Sequence, residues 1–220
     1  MQKIAFVDWD DVLFDLPSFK TAYFNFLAGR IQTSSVKAHQ IVFKSYEEAK
    51  GKGWYDPDEH IDALQRLTGH VQPRGEILFG IECFIARAAA IHVYFDTEWF
   101  LKSLSNSGYK IYFVTLGTRW FQEAKIKHSG IENYGSVVVT QDPTKVSAIE
   151  ELCSLHNYRF DQAILFDDSR RVVENARDEF PKMKIIQVLR GDAPDKKTKK
   201  PGIAVIKDLC EVIIPRLLPQ

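Results

Sequence analysis

Five short apolar segments constrain the fold of this 220-residue chain more than any other feature of its sequence. Apolar runs of four to six residues, rich in Val, Ile, Phe and Tyr, are typical of strands buried on both faces of a parallel sheet. Helical patterns follow the last four of them. The strand candidates are residues 3–7, 110–115, 136–140, 163–166 and 184–189, and the helix candidates are 119–128, 144–155, 169–180 and 208–217. Strands that alternate with helices predict an α/β protein with a parallel sheet and right-handed crossovers.

The interval between the first and second strands is far longer than one crossover, and it predicts a helical insertion. It contains no convincing strand, but Gly, Pro, Ser and Asp mark the ends of several helix patterns. These patterns end near Gly29, begin at Ser34, run from Asp56 to Gly69, and cover 74–90. Asp96 and Thr97 open the helix that leads back to the sheet. We therefore expect a core of residues 1–15 and 96–220, with a helical insertion at 16–95 and a solvated loop at 190–202.

Composition and charge exclude several classes of protein. The chain has 29 basic and 29 acidic residues, whereas a protein that coats nucleic acid needs a surplus of cations. No uncharged apolar stretch approaches the ~18 residues needed to cross a bilayer. Cys83, Cys153 and Cys210 are far apart in the sequence, so we expect reduced, buried thiols in a cytoplasmic protein. The sequence does not distinguish a monomer from a homodimer.

Polar residues follow four of the predicted strands. In an open parallel sheet, ligands bind beyond the carboxyl ends of the strands, where the strand order reverses. If the first and fourth strands are neighbours, their carboxylates meet in one crevice. The polar residues are Asp8, Asp10 and Asp11 after the first strand, Thr115 at the end of the second, Lys145 after the third, and Asp167 and Asp168 after the fourth.

Coulomb's law predicts a cation in such a crevice. Two carboxylates about 4 Å apart repel by ~4 kcal/mol at an effective dielectric constant near 20, and Lys145 alone does not balance four of them. A hard divalent cation with oxygen ligands, which favours Mg²⁺, resolves the repulsion. With Mg²⁺, a lysine, a threonine hydroxyl and free backbone N–H groups in one place, the expected ligand is a phosphoryl group.

Catalytic roles follow from these positions. Asp8, at the strand end, can bind Mg²⁺ with one oxygen and attack phosphorus with the other, which forms an aspartyl phosphate. Asp10 can protonate the leaving oxygen and then deprotonate the hydrolytic water. Thr115 and Lys145 can hold the equatorial phosphoryl oxygens as charge develops.

The predicted metal ligands are Asp8, Asp10, Asp167 and Asp168. Asp167 completes the ligand set. Asp168 is a direct ligand, a water-mediated one, or a residue that orients Lys145.

Four further residues are assigned to substrate or phosphate binding. Gly117 allows the backbone to approach the phosphate closely, and Leu116 precedes it. Trp9 either packs in the core or covers the site. Arg119 either contacts a second anionic group of the substrate or lies on the surface.

The motifs resemble those of the haloacid dehalogenase (HAD) superfamily, in the order of that family. They are the nucleophilic D-x-D in FVDWDDVLFD, the threonine in IYFVT, Lys145, and the acidic pair in ILFDD. The resemblance implies a Rossmann-like three-layer core with strand order 5-4-1-2-3, a helical cap inserted after the first motif, and Mg²⁺-dependent phosphatase chemistry. It also implies that Asp10 argues against dehalogenase activity, because haloacid dehalogenases generally lack this second aspartate.

Two positions depart from the family pattern. Asp11 stands where the family usually has glycine, which adds a carboxylate near the site. Leu116 replaces the Asn or Ser that often follows the motif threonine, so any side-chain contact made there is lost.

The expected function is therefore the hydrolysis of a small phosphorylated metabolite. A phosphotransferase or mutase remains possible, with a second hydroxyl in place of water. A phosphoryl-accepting signalling domain is disfavoured by the order of the motifs, and a non-catalytic phosphoryl-binding protein by their completeness.

Overall fold

The computed structural model describes residues 2–51, 53–69, 72–191 and 196–212. The strands are β1 (Lys3–Val7), β2 (Tyr109–Leu116), β3 (Ser136–Thr140), β4 (Ala163–Asp167), β5 (Lys184–Val188) and β6 (Ala204–Ile206). The α-helices are α1 (Leu16–Ala28), α2 (Ser35–Ala49), α3 (Pro57–Thr68), α4 (Arg74–Ala88), α5 (Thr97–Asn106), α6 (Arg119–Lys127), α7 (Val146–Leu155) and α8 (Arg170–Glu179). Short 3₁₀ helices cover Ala89–His92, Glu132–Tyr134, Phe160–Gln162 and Leu209–Glu211.

The sheet is parallel, with strand order β3-β2-β1-β4-β5-β6. This confirms the α/β class and the order 5-4-1-2-3 for the five predicted strands. β1 is central: Val7 lies opposite Phe113 of β2 on one side and Phe166 of β4 on the other. The end of β1 therefore lies between the ends of β2 and β4, where the sequence places its polar residues.

The central strands β1 and β4 are buried on both faces of the sheet. All five residues of β4 are buried, and so are the last four of β1. On one face, Leu165 and Ile185 belong to a buried cluster that also contains Ile149 of α7 and Val173 of α8. Burial on both faces explains why these strands read as continuous apolar runs and not as alternating ones.

The sixth strand was not predicted, because β6 has only three residues and lies within a polar part of the sequence. It pairs with β5 in parallel. The expectation that 190–202 is a solvated loop is wrong for Thr198, which is buried. The predicted helix at 208–217 begins as the 3₁₀ helix Leu209–Glu211, and its part beyond 212 lies outside the described residues.

Two compact units are distinguished within the chain. The first contains Met1–Asp15, Val93–Leu116 and Ile131–Gln220, and the second contains Leu16–His92 and Gly117–Gly130. The sheet belongs to the first unit, and α1–α4 and α6 belong to the second. The insertion limits of 16–95 stay a prediction.

The helices of the second unit end where the sequence indicates. Asp56 accepts a hydrogen bond from the N–H of Asp58 at the start of α3, and Pro57 occupies its first turn. Gly69 ends α3 in the left-handed conformation, with φ 65°.

Asp96 precedes α5 as expected, but it does not cap the helix. Its buried carboxylate pairs with the guanidinium of Arg190, at 2.7 and 2.9 Å, and accepts the N–H of Leu209 at 2.8 Å. Arg190 also donates two hydrogen bonds to the carbonyl of Val12. These contacts join the segment after β1, the start of α5 and the segment after β6.

The cysteines are unpaired, but the prediction that all three are buried is wrong. Cys153 is buried, Cys83 is partly exposed, and Cys210 is exposed. Within the described ranges, no helix has the length and apolar character that a membrane span requires.

Candidate active site

Asp8 extends β1 by one residue and is held from two directions. Its N–H donates to the carbonyl of Phe166 at 2.9 Å, which continues the pairing of β1 with β4. Its Oδ1 accepts the N–H of Trp9 at 2.7 Å and lies 2.6 Å from Nζ of Lys145. Within the described part of the chain, Oδ2 of Asp8 has no hydrogen-bond partner, so one oxygen is fixed while the other remains available.

Lys145 joins the carboxylates of two neighbouring strands. Its Nζ lies 2.7 Å from Oδ2 of Asp167, in addition to its contact with Asp8. All three side chains are buried. Burial acts to lower the pKa of Lys145, but Asp167 and Asp8 outweigh it and hold this pKa above its ordinary value, so the lysine is charged.

A turn before α7 places Lys145. The carboxylate of Asp142 accepts hydrogen bonds from the N–H and hydroxyl groups of Thr144 and Ser147. Burial raises the pKa of Asp142, but these hydrogen bonds outweigh it and lower the pKa to about 2. Lys145 closes the turn through its N–H, which donates to the carbonyl of Asp142 at 3.0 Å, and adopts φ 58°.

Asp8, Asp167 and Asp168 form an acidic cluster whose carboxylate oxygens lie within 4.8 Å of one another. Burial raises the pKa of Asp8 well above its ordinary value, and the Lys145 charge only partly offsets this. Burial together with the charges of Asp167 and Asp11 raises the pKa of Asp168 to about 7. Both shifts come mainly from burial, and the charges of neighbouring carboxylates add to it.

Thr115 ends the buried part of β2, and its hydroxyl is an unpaired buried group. The side chain is 1% exposed, and its Oγ1 has no hydrogen-bond partner in the part of the chain that is described. A buried hydroxyl without a partner costs about 1–3 kcal/mol, and native proteins usually retain one for a reason. A ligand oxygen at the strand ends would satisfy it.

The residues after Asp8 take different positions. The Trp9 side chain is fully buried and stacks on Phe14 at 5.3 Å between ring centroids, which favours packing over a role at the surface of the site. Asp10 is half-buried and lies outside the acidic cluster, so its role as a ligand stays a prediction. Asp11 adopts φ 60° and donates its N–H to the carbonyl of Phe14. This left-handed conformation explains why glycine suits the position.

Of the four predicted substrate-binding residues, Leu116 belongs to the first unit with Trp9, and Gly117 and Arg119 belong to the second. Leu116 is half-buried at the end of β2. Gly117 has φ 143°, and a Cβ there would lie 3.0 Å from Nε2 of Gln122, so the position requires glycine. Arg119 is exposed and pairs with Glu123 one turn later, at 3.3 Å. Substrate contact by these residues stays a prediction.

A sequence model of the haloacid dehalogenase-like hydrolases matches residues 57–211. The chain belongs to this family. The match covers more than half of the chain and includes Thr115, Lys145, Asp167 and Asp168. A sequence search of curated proteins finds no match.

Solved structures of haloacid dehalogenase-like hydrolases share the fold. One from Burkholderia xenovorans has a TM-score of 0.72 at 18% identity, over 95% of this chain and 94% of that one. A HAD phosphatase from Thermococcus onnurineus has a TM-score of 0.67 at 20% identity, over 96% and 95% of the two chains. An L-2-haloacid dehalogenase from Xanthobacter autotrophicus, with chloropropionic acid covalently bound, has a TM-score of 0.63 at 13% identity, over 95% and 96%.

The donor set of this haloacid dehalogenase-like hydrolase fits a hard divalent cation. Asp8, Asp167 and Asp168 provide only carboxylate oxygens, and three such groups against the single charge of Lys145 leave an excess of negative charge. Oxygen ligands of this kind favour Mg²⁺. These three residues are the ones that would hold it.

Two residues at the site were missed by sequence reasoning. Asp142 organises the turn that carries Lys145. Gln187 is fully buried in β5 opposite Asp167, and its Nε2 donates to the carbonyl of Asp168 at 2.9 Å. The available signal was a single amide side chain in the apolar run KIIQV.

Proposed function

We propose that this haloacid dehalogenase-like hydrolase is a Mg²⁺-dependent phosphatase that hydrolyses a small phosphomonoester through an aspartyl phosphate on Asp8. The observation that carries the proposal is the arrangement of the Asp8 carboxylate. Lys145 holds one oxygen, the other oxygen has no partner in the described chain, and Asp167 and Asp168 complete an acidic cluster beside it.

Asp8 is the proposed nucleophile. Its free oxygen attacks phosphorus, and the bond from phosphorus to the substrate oxygen breaks. The contacts from Lys145 and from the N–H of Trp9 orient the carboxylate for this attack. Bound Mg²⁺ would supply the positive charge that lets an anionic nucleophile approach an anionic phosphate.

Asp10 is the proposed general acid and base. It gives its proton to the leaving oxygen in the first step. In the second step it takes a proton from water, which attacks phosphorus and breaks the bond to Asp8. Inorganic phosphate is released, and Asp8 returns to its carboxylate form.

Thr115 and Lys145 are the proposed ligands of the phosphoryl oxygens. The unpaired buried hydroxyl of Thr115 lies at the end of the strand next to Asp8 and can donate to a phosphoryl oxygen. The positive charge of Lys145 can pair with the negative charge that builds up on the phosphoryl oxygens. The loss of one such donor typically lowers the rate by about 10²–10³-fold.

Dehalogenation is the second candidate, since a dehalogenase shares the fold. In that reaction Asp8 would attack carbon and displace a halide. A halide leaves without a proton, whereas the oxygen of a phosphomonoester needs one, so Asp10 two residues after the nucleophile favours the phosphatase.

The test is hydrolysis of p-nitrophenyl phosphate by the purified chain. We expect turnover with Mg²⁺, its reversible loss with EDTA, and its loss in Asp8→Asn. Asp161→Asn is the matched control, because Asp161 is a surface carboxylate that pairs with Arg159. We expect it to keep wild-type activity.

Parallel assays separate the alternatives. Two results together would establish the dehalogenase. They are chloride release from 2-chloropropionate in the absence of Mg²⁺ and no phosphate release from p-nitrophenyl phosphate in its presence. Transfer of the phosphoryl group to an added sugar, detected by product analysis, would establish a phosphotransferase. A panel of phosphorylated metabolites then identifies the substrate.

A further inference from the structure

A lysine-rich segment at 196–200, with the sequence KKTKK, lies beside the acidic cluster and has no part in the mechanism above. Because four of its five residues are lysines, the whole segment would be expected to lie in solvent. Yet Thr198 is buried, and the segment is held by hydrogen bonds to β5 and α8. A lysine-rich segment that is fixed in this way holds its charges in defined positions.

The side chain of Gln187 makes the main connection. Its Nε2 donates to the carbonyls of Asp168 and Lys196, both at 2.9 Å, and its Oε1 accepts the N–H of Thr198 at 2.8 Å. Gln187 is 0% exposed. One amide group therefore joins the backbone of a candidate metal ligand to the backbone of the lysine-rich segment.

The segment is also anchored on α8, which begins just after Asp168. The hydroxyl of Thr198 donates to Oε1 of Glu174 at 2.8 Å. Lys200 donates to the carbonyl of Glu174 at 3.1 Å and pairs with Asp178. These contacts use the charge of Lys200 and the hydroxyl of Thr198, and they leave Lys196, Lys197 and Lys199 as exposed cations of the segment.

Two of the exposed lysines, Lys196 and Lys197, differ in how they are connected to the site. The charge of Lys196 acts on the Asp168 carboxylate and lowers its pKa, against the burial that raises it. Gln187 holds the carbonyl of Lys196 and, within the described residues, makes no hydrogen bond to Lys197, the next residue. Lys196 thus places a positive charge near the acidic cluster, and Lys197 provides a neighbour of equal charge for comparison.

We propose that Lys196 is a specificity-determining residue that attracts the anionic substrate, and that Gln187 is the positioning residue that holds both Lys196 and Asp168. The proposal rests on the proposed phosphatase function. Lys145 is neutralised by two carboxylates, whereas Lys196 is exposed and can act on an approaching phosphate. A cation at the rim of an active site raises the rate of encounter with an anion, and salt screens the effect.

The first experiment compares Lys196→Gln with Lys197→Gln. Lys196→Gln should lower kcat/KM for p-nitrophenyl phosphate about 5-fold at low salt and weaken its dependence on ionic strength. Lys197→Gln should stay within about 2-fold of wild type, because it removes the same charge from a residue that Gln187 does not join to Asp168. Equal losses in both variants would overturn the role of Lys196.

The second experiment tests Gln187→Met, which keeps the length of the side chain and removes its three hydrogen bonds. Isothermal calorimetry should show Mg²⁺ binding about 10-fold weaker than in wild type, as expected when a group that supports a metal ligand is lost. Lys196→Gln should bind Mg²⁺ at least as tightly as wild type, because a cation has been removed. Hydrogen exchange at the amide of Thr198 should become faster in Gln187→Met.

The outcomes separate this proposal from the function on which it rests. If Gln187→Met lowers only thermal stability, with wild-type Mg²⁺ affinity and salt dependence, Gln187 is structural and the proposal fails. If the wild-type chain binds Mg²⁺ but hydrolyses no phosphomonoester, the phosphatase function and the role of Lys196 fail. The calorimetry and hydrogen exchange then still decide whether Gln187 positions Asp168. If the wild-type chain neither binds Mg²⁺ nor hydrolyses a phosphomonoester, the phosphatase function and the roles of Lys196 and Gln187 all fail.

Discussion

Two residues of the candidate active site have backbone conformations that L-amino acids rarely adopt. Asp11 has φ 60° and Lys145 has φ 58°. The left-handed region costs a residue with a Cβ about 1–2 kcal/mol, less for Asp, which can hydrogen-bond locally. Asp11 follows Asp8 and Asp10, and Lys145 carries its charge to Asp8 and Asp167. Strain of this kind is typical of residues whose side chains must be held at a site.

Replacement of Asp11 tests this strain directly. Asp11→Gly and Asp11→Ala remove the same carboxylate, but only glycine adopts φ 60° without cost. We expect the glycine variant to be more stable than the alanine variant by about 1 kcal/mol in the free energy of unfolding, measured with urea. An alanine variant of equal or greater stability would show that the turn relaxes and stores no strain.

The sequence predicted which residues meet at the site but not how they meet. Asp8, Lys145, Asp167 and Asp168 come together because the ends of adjacent parallel strands must lie together. The contact of Lys145 with two carboxylates depends on the turn at Asp142, which no periodicity encodes. Gln187 was missed because its partners are backbone groups, and a sequence pattern carries no information about them.

At the scale of the elements, the strands that were predicted are those with an apolar run of four residues or more: β1, β2, β4 and β5 are mostly buried, and β3 is half-buried. β1 and β3 begin and end at the predicted residues, and β2, β4 and β5 differ by one residue at one or both ends. β6 was missed because three residues, one exposed and two half-buried, give too short a pattern. Long-range polar contacts were missed for another reason. Asp96 has the position and side chain of a helix cap, and only the fold brings Arg190 to it.

The loss of unfolding free energy on replacement of Asp96 distinguishes a helix cap from one partner of a buried ion pair. A lost cap costs about 1 kcal/mol. Removal of one partner from a buried pair costs about 3–5 kcal/mol, because the other charge stays buried. The Asp96 side chain is 0% exposed, and that of Arg190 is 11% exposed. We therefore expect Asp96→Ala to lower the free energy of unfolding by about 3 kcal/mol or more.

A double variant provides the control. Asp96→Ala combined with Arg190→Met removes both charges, so it should recover part of the loss seen in Asp96→Ala alone. Urea unfolding of the four proteins gives the coupling energy between the two side chains. Additive losses would mean that Asp96 acts without Arg190.

At the scale of the whole molecule, the two units contain buried titratable groups that respond to acid in opposite ways. In the first unit, burial raises the pKa of Asp168 to about 7, and that of Asp8 also lies well above its ordinary value. In the second unit, burial lowers the pKa of His60 to about 4. His60 is fully buried between the hydroxyls of Tyr55 and Ser45, at 2.8 and 2.9 Å.

The sign of each contribution follows from proton binding. The folded carboxylates bind protons more readily than the unfolded ones, so their contribution to stability is largest below pH 3.8 and is lost as the pH rises through about 7. Folded His60 binds its proton less readily than unfolded histidine. Its contribution is therefore complete above pH 6.5 and is lost as the pH falls through about 4.

Acid should therefore destabilise the second unit through His60 while it stabilises the metal-free first unit. A change of pKa from 6.5 to about 4 corresponds to about 3 kcal/mol. Hydrogen exchange read by mass spectrometry at pH 7 and pH 4.5, corrected for intrinsic rates, should show protection falling in α2 and α3 and not in β1 and β4. In His60→Gln, which cannot take up a proton, the fall in α2 and α3 should be much smaller. An equal fall in the variant would place the acid sensitivity of the second unit on groups other than His60.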